Sequence, residues 1–254
     1  MLQGGAGMTR KVEKRDSGVF IAVEGGEGSG KSLFVQGLCA WLRRSGQIVV
    51  QTREPGGTPA ADKIRAIFAA PGEELVMQTE ALLVSAARCQ HVERVIRPAL
   101  ARGEWVVSDR FADSTRVYQG AIGGVPQAEL ERLIAFSTGD LVPDLTILID
   151  CPTDVARARI DGAKSRPGQR TDEVQRYDLA SAEFHQRVRD AFLKLAKGRA
   201  RKSGATPPMI VLDGAALPED ILVGGAREIS SRWTRDWAEL ASDAGSGKGG
   251  GDHG

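Results

Sequence analysis

Residues Gly25 to Ser32 read G-G-E-G-S-G-K-S, whose types and spacing fit G-x4-G-K-[ST]. A glycine-rich turn from strand into helix lets backbone N–H groups wrap a polyphosphate. The lysine at its end reaches the β and γ oxygens, and the next hydroxyl ligates Mg²⁺. Gly25, Gly26, Glu27, Gly28, Ser29, Gly30, Lys31 and Ser32 are therefore the expected triphosphate-binding loop. An apolar stretch, Val19-Phe20-Ile21-Ala22-Val23, precedes the turn. Leu33 to Arg44 follows it, with apolar residues at helical spacing at Leu33, Leu38, Trp41 and Leu42. Strand before and helix after are the context this chemistry needs, so the chain is expected to bind a nucleoside triphosphate.

The elements that position the loop alternate in type. Ile48 to Thr52 reads as a second strand running into Arg53-Glu54-Pro55-Gly56-Gly57, and Trp105 to Ser108 as a third ending at Asp109-Arg110. Leu145 to Asp150 and Met209 to Leu212 read as a fourth and fifth, and Glu74 to Arg102 as one long helical stretch. Short apolar strands separated by helices predict a parallel sheet covered on both faces. Ligands of such sheets bind at the carboxyl ends of the strands. Gly25, Arg53, Asp109 and Arg110 all fall at those ends.

Bulk properties exclude several classes. The 254 residues carry a formal net charge of +1, which gives no field to draw the protein onto nucleic acid or an anionic membrane. Cys39, Cys89 and Cys151 show neither metal-ligand spacing nor a disulfide framework, and each reads as a small buried apolar residue in a reducing compartment. No apolar run reaches the length of a membrane span, and no apolar region follows Arg10, Lys11, Lys14 and Arg15 as a secretory signal would need. A cytoplasmic location is expected. Residues 1–17 read as a loose arm, 18–241 as one domain and 242–254 as a Gly-rich tail without the means to order itself.

Guanine recognition through N-K-x-D is excluded, since the chain contains no asparagine. Asp150, after Leu145-Thr146-Ile147-Leu148-Ile149, resembles the acid of motor ATPases weakly and equally reads as a helix cap before Val155. Arginine density favours phosphoryl transfer between two anionic substrates, which needs several cations around both phosphate chains.

Four collinear segments then carry a specific resemblance. They are E-G-G-E-G-S-G-K-S from Glu24, T-R-E-P-G-G-T from Thr52, A-A-R-C-Q-H-V-E from Ala86, and D-R-F-A-D-S-T-R-V-Y-Q-G from Asp109. From about Gly18 to Leu240 the chain resembles the bacterial form of the thymidylate kinase family, and Phe184 to Arg189 resembles the helix that follows that family's lid. The resemblance implies an α/β, P-loop NTPase fold of the nucleoside monophosphate kinase type. Its five-stranded parallel sheet would have order 2-3-1-4-5, helices on both faces and a lid at about residues 161–176. It implies ATP-dependent phosphorylation of dTMP to dTDP, with Mg²⁺ as cofactor and ATP and dTMP as partners. It also implies a homodimer, for which the helix from Glu74 is the expected seam. Two alternatives stay open: a kinase for another deoxynucleoside monophosphate, and a nucleotide-binding regulatory module without turnover.

The resemblance also implies roles. Lys31 would stabilise the transferring phosphoryl group, Ser32 and Asp109 would hold Mg²⁺ partly through water, and Arg110 would bridge donor and acceptor phosphates. An arginine fork suits phosphate because it donates two parallel bonds. Glu27 matches the acid that hydrogen-bonds the sugar 3′-hydroxyl. Arg53, Arg65 and Arg88 fall on the acceptor side, Arg53 on phosphate and Arg88 on the base. Ser114, Tyr118 and Gln119 line the nucleoside pocket, with Tyr118 crowding the 2′ position. Lid arginines Arg166, Arg170 and Arg176 would face the ATP phosphates, with Arg176 catalytic, while Gly28 stands where the other form of the family has arginine. His91 and His185 read as structural, and Glu54-Pro55 matches a frequent cis peptide.

Two departures bear on substrate. Val84 stands where the family commonly has a phenylalanine that stacks on thymine, so dTMP contact is expected to be weaker there or supplied by another ring. In the lid, Gln175-Arg176-Tyr177-Asp178 replaces the family's D-R-[hydrophobic]-E.

Overall fold

The structure is a computed structural model that describes residues 18–69, 74–139, 141–164, 177, 180–200 and 208–233. The expected arm 1–17, the tail 242–254, and Arg166, Arg170 and Arg176 with most of the expected lid lie outside the described residues.

Five strands form one sheet: β1 (Phe20–Glu24), β2 (Val49–Arg53), β3 (Trp105–Asp109), β4 (Leu145–Asp150) and β5 (Met209–Asp213). Their order is β2-β3-β1-β4-β5, and every pairing is parallel, as expected. The strand period of two divides β1 between the faces. Ile21 and Val23 face a core built with α1 (Lys31–Arg44) and α9 (Pro218–Trp233), including Leu38, Leu42 and Ile229. Phe20 and Ala22 face the opposite core with Ile96, Phe111, Leu130 and Ile134. β1 is buried along its whole length, whereas β2 and β5, at the edges, are half-exposed.

The remaining helices are α2 (Pro59–Ala69), α3 (Met77–His91), α4 (Arg97–Ala101), α5 (Ala112–Thr115), α6 (Gln127–Thr138), α7 (Thr153–Lys164) and α8 (Ala182–Ala200). The expected helix over Glu74 to Arg102 begins only at Met77, and a wide π-helical stretch, Val92–Ile96, separates α3 from α4. A second π-helical stretch, Arg116–Ile122, follows α5 and buries three consecutive side chains, Val117, Tyr118 and Gln119. The stretch packs against α3, α6 and α8, so residues on more than one of its sides are covered. Helical spacing also misassigned one leucine. Leu33 points outward, because the inward stripe of α1 runs through Phe34, Val35 and Leu38, while that of α3 runs through Glu80, Ala81 and Arg88. Cys39 and Cys151 are buried as expected, but Cys89 is only half-buried.

Candidate active site

The loop 25–30 leaves the C-terminal end of β1 and enters α1 through Gly30. Gly28 has φ +72°, and a Cβ there would run into the Ala156 carbonyl of α7. The loop is thus packed tightly on α7, which excludes an arginine at position 28. Lys31 is buried, and its Nζ donates to the Gly26 carbonyl at 2.6 Å. Burial lowers its pKa to about 8, and the Arg110 charge adds to that; Asp109, Glu27 and Glu24 pull the other way.

β3 runs beside β1 with Val23 opposite Asp109, so the end of β3 lies alongside the loop. The Ser32 hydroxyl donates to Asp109 Oδ2 at 3.0 Å. One hydroxyl and one carboxylate at this lip suit Mg²⁺, which takes few protein oxygens and completes its shell with water and phosphate. No larger cluster of acidic, histidine or cysteine ligands occurs among the described residues.

Arg110 is the one non-glycine residue with positive φ among the described residues, at 74°. Such a conformation persists only where its surroundings hold it. Here Arg110 N donates to the Val23 carbonyl, and the Ser108 hydroxyl donates to the Arg110 carbonyl. The turn aims the guanidinium back at the loop. It donates to Glu27 Oε1 at 2.7 Å and to the Gly25 carbonyl and Ser114 Oγ at 3.0 Å each, and lies 5.2 Å from the Tyr118 ring centre. The Tyr118 hydroxyl reaches both Glu27 oxygens at 2.8 Å. Burial pushes the Glu27 carboxyl upward, but Arg110, Lys31 and the Tyr118 hydroxyl outweigh it and leave the group below its ordinary value. Glu27 is an anion held by a ring of donors.

Glu24, at the end of β1, is fully buried and organises this turn, a role that its place in the motif alone did not reveal. Its Oε1 accepts from Phe111 N and Ser114 N, and its Oε2 from Ser114 Oγ at 2.6 Å. Burial and the neighbouring Asp113 charge push its carboxyl up to about 7. The sequence signal was available: a charged residue ending an otherwise apolar buried strand.

The acceptor side is built on α3 and the end of β2. Glu80, Val84 and Arg88 recur every fourth residue along α3, with Val84 half-buried. Arg88 is buried, donates to Glu54 Oε2 at 2.7 Å, Thr115 Oγ1 at 2.9 Å and the Phe111 carbonyl, and keeps Nη1 without a protein partner. Glu54, whose bond to Pro55 is cis, also meets His91 Nδ1 at 3.0 Å, while His91 Nε2 lies 2.6 Å from Thr52 Oγ1. His91 is therefore structural, as expected. Arg53 is exposed at the end of β2, opposite Asp109, and Arg65 on α2 donates to the Pro55 carbonyl. Gln119 donates to Glu80 Oε2 at 3.1 Å. His185 lies 3.9 Å from Glu27 and lines, with Gly26, Ser29 and Arg189, a small pocket beside the loop. Asp150 pairs with Arg189 at 2.6 Å.

A phosphate-binding loop after β1, an Asp-Arg pair at the end of β3 and the sheet order β2-β3-β1-β4-β5 together define a P-loop nucleoside monophosphate kinase. The sequence model described as Thymidylate kinase matches residues 23–208, and the chain belongs to the thymidylate kinase family. It is 47% identical over 182 residues to a thymidylate kinase of Pseudomonas fluorescens strain Pf0-1, covering 71% of this chain and 83% of that one. It is 46% identical over 186 residues to a thymidylate kinase of Geobacter sulfurreducens, covering 73% and 86%. A thymidylate kinase of Pseudomonas putida is 42% identical over 213 residues, 84% of this chain and 98% of that one. No helix among the described residues is long and apolar enough to cross a membrane.

Proposed function

We propose that this chain transfers the γ-phosphoryl group of ATP to dTMP, forming dTDP for DNA precursor supply in the cytoplasm. The observation that carries this reading is the contact between two half-sites: Lys31, Ser32 and Asp109 at the loop, and Glu27 with Arg110 and Tyr118 beside them. Lys31 and Arg110 supply positioned positive charge where the transferring group crosses, which phosphoryl transfer needs more than covalent help. Ser32 and Asp109 would hold Mg²⁺, which when bound neutralises charge on the donor phosphates.

On the acceptor side, Glu27 accepts from the sugar 3′-hydroxyl and Tyr118 closes the 2′ position. Ser114 and Gln119 complete the wall. Arg53 and Arg65 hold the acceptor phosphate, and Arg88 offers its unpartnered Nη1 to the base beside Val84. Arg166, Arg170 and Arg176 cover the ATP phosphates from the lid. Two copies would associate through α3, where the exposed Leu82 and nearby Val76 provide apolar surface for a partner to cover.

A coupled ADP-release assay with Mg-ATP and dTMP, dUMP, dCMP, UMP and CMP tests the reading. The highest kcat/KM is expected with dTMP. Preference for another monophosphate would move the function to the related kinase that Val84 suggests, and no turnover with any acceptor would overturn the enzymatic reading.

A further inference from the structure

We propose that Tyr177 is a positioning residue of the acceptor nucleoside pocket, acting through Tyr118 and through the Glu80–Gln119 pair. The inference rests on the acceptor-site reading above and extends it to a residue between α7 and α8. Two sets of contacts carry it.

The first is aromatic. The Tyr177 ring stacks on Phe184 at 5.2 Å and 15°, and its centre lies 5.1 Å from that of Tyr118 at a 31° tilt. Tyr118 in turn meets Phe192 edge-on at 6.2 Å. Phe184 and Phe192 both belong to α8, so Tyr177 and α8 together brace the ring whose hydroxyl bears on Glu27. Aromatic pairs at these separations favour particular relative orientations, so the series restricts where the Tyr118 ring rests.

The second is polar. Tyr177 Oη donates to Glu80 Oε2 at 2.9 Å, joining residues 97 apart in the chain, and the same oxygen accepts from Gln119. Glu80 has no exposed surface, and a buried carboxylate is tolerated only where donors meet it. Gln119 follows Tyr118 directly, and Glu80 precedes Val84 by one helical turn. Tyr177 thus touches both walls of the pocket at once: the ring of one, and the carboxylate at the base of the other.

Deleting these contacts displaces Tyr118 and loosens Gln119, which weakens acceptor binding and the exclusion of a 2′-hydroxyl. The test compares wild type, Tyr177→Phe and Tyr177→Leu in the full chain. Its readouts are KM and kcat for dTMP, KM for ATP, and the ratio of kcat/KM for dUMP over UMP, two acceptors that differ only at the 2′ position. Tyr177→Leu is expected to raise KM for dTMP by about 3- to 10-fold and to lower the dUMP:UMP ratio similarly, with KM for ATP changed less than about 2-fold. Tyr177→Phe keeps the ring series and loses the bond to Glu80. It should restore the dUMP:UMP ratio while KM for dTMP stays raised by roughly 2- to 5-fold.

An unchanged KM for dTMP and an unchanged ratio in the leucine variant would overturn the proposal, as would a loss confined to kcat. Should the leucine variant fail to fold, the phenylalanine variant decides alone, and a wild-type KM in it overturns the proposal. Wild-type preference for another monophosphate would overturn the dTMP reading and leave this one to be read as KM for that acceptor. A wild type that binds no monophosphate overturns both.

Discussion

Arg110 Nη2 donates to Glu27 Oε1 at 2.7 Å, joining the end of β3 to the phosphate-binding loop across 83 residues of chain. Neither group occupies an easy place. Arg110 holds a left-handed backbone conformation, and Glu27 is a buried carboxylate next to a site for a polyphosphate anion. Each makes the other tolerable: the guanidinium keeps the carboxyl ionised, and the carboxylate holds the fork where both phosphate chains would meet.

Substitution of Arg110 by lysine keeps the charge and loses the fork. An ammonium has three donors and cannot serve Glu27, Gly25, Ser114 and a phosphate at once. Arg110→Lys is expected to lower kcat for dTMP by about 100-fold, on the order of losing one preorganised donor to transition-state charge. Steady-state kinetics with a melting curve separates this from unfolding, and a kcat within a few-fold of wild type would remove Arg110 from the catalytic set.

Val84 leaves the face of α3 between Glu80 and Arg88 without a ring. Val84→Phe is expected to lower KM for dTMP by about 3- to 10-fold, since stacking on a base contributes roughly 1–3 kcal/mol and valine recovers part of it by contact. Affinities for dTMP and dUMP measured on both proteins check this. No gain from phenylalanine would mean that base contact is already complete.

Glu54 pairs with Arg88 and also meets His91, and the side chains of Glu54 and Arg88 are only 4% and 2% exposed. Glu54→Ala leaves a buried guanidinium short of its carboxylate. A loss of about 3 kcal/mol is expected, seen as a fall in Tm of roughly 6–12 °C for a domain of this size. An unchanged Tm would mean that Thr115 and the Phe111 carbonyl suffice for Arg88.

Glu24 makes stability depend on pH. Its folded pKa is raised from 4.5 to about 7, so between those values the folded chain holds a proton that the unfolded chain releases. The stability from that proton is complete below pH 4.5 and is lost as pH rises through about 7. Glu24→Gln does not titrate. Denaturant unfolding of both proteins is expected to show wild type losing roughly 2–3 kcal/mol relative to the variant across the window. A constant difference between them would overturn this assignment.

What could be read from the sequence was chemistry carried by neighbours in the chain. The phosphate-binding loop is a contiguous run whose glycines, lysine and serine act together, and the alternation of short apolar strands with helices was enough for a parallel sheet. Asp109 and Arg110 were legible because strand ends collect on one edge of such a sheet. Tertiary structure decided what joins residues distant in sequence. Glu24, Glu54 and Glu80 are buried carboxylates whose donors come from other elements, between 34 and 97 residues away. For Glu54 and Glu80 no local pattern marks the carboxylate as buried, because its solvation is exchanged for donors that arrive only when the elements pack. The burial of Val117, Tyr118 and Gln119 in one run likewise depends on α3, α6 and α8 packing around the stretch, which helical spacing does not announce. Tyr177 follows the same logic: its sequence neighbours are polar, and its meaning comes from the ring of Tyr118 and the carboxylate of Glu80 that the fold brings to it.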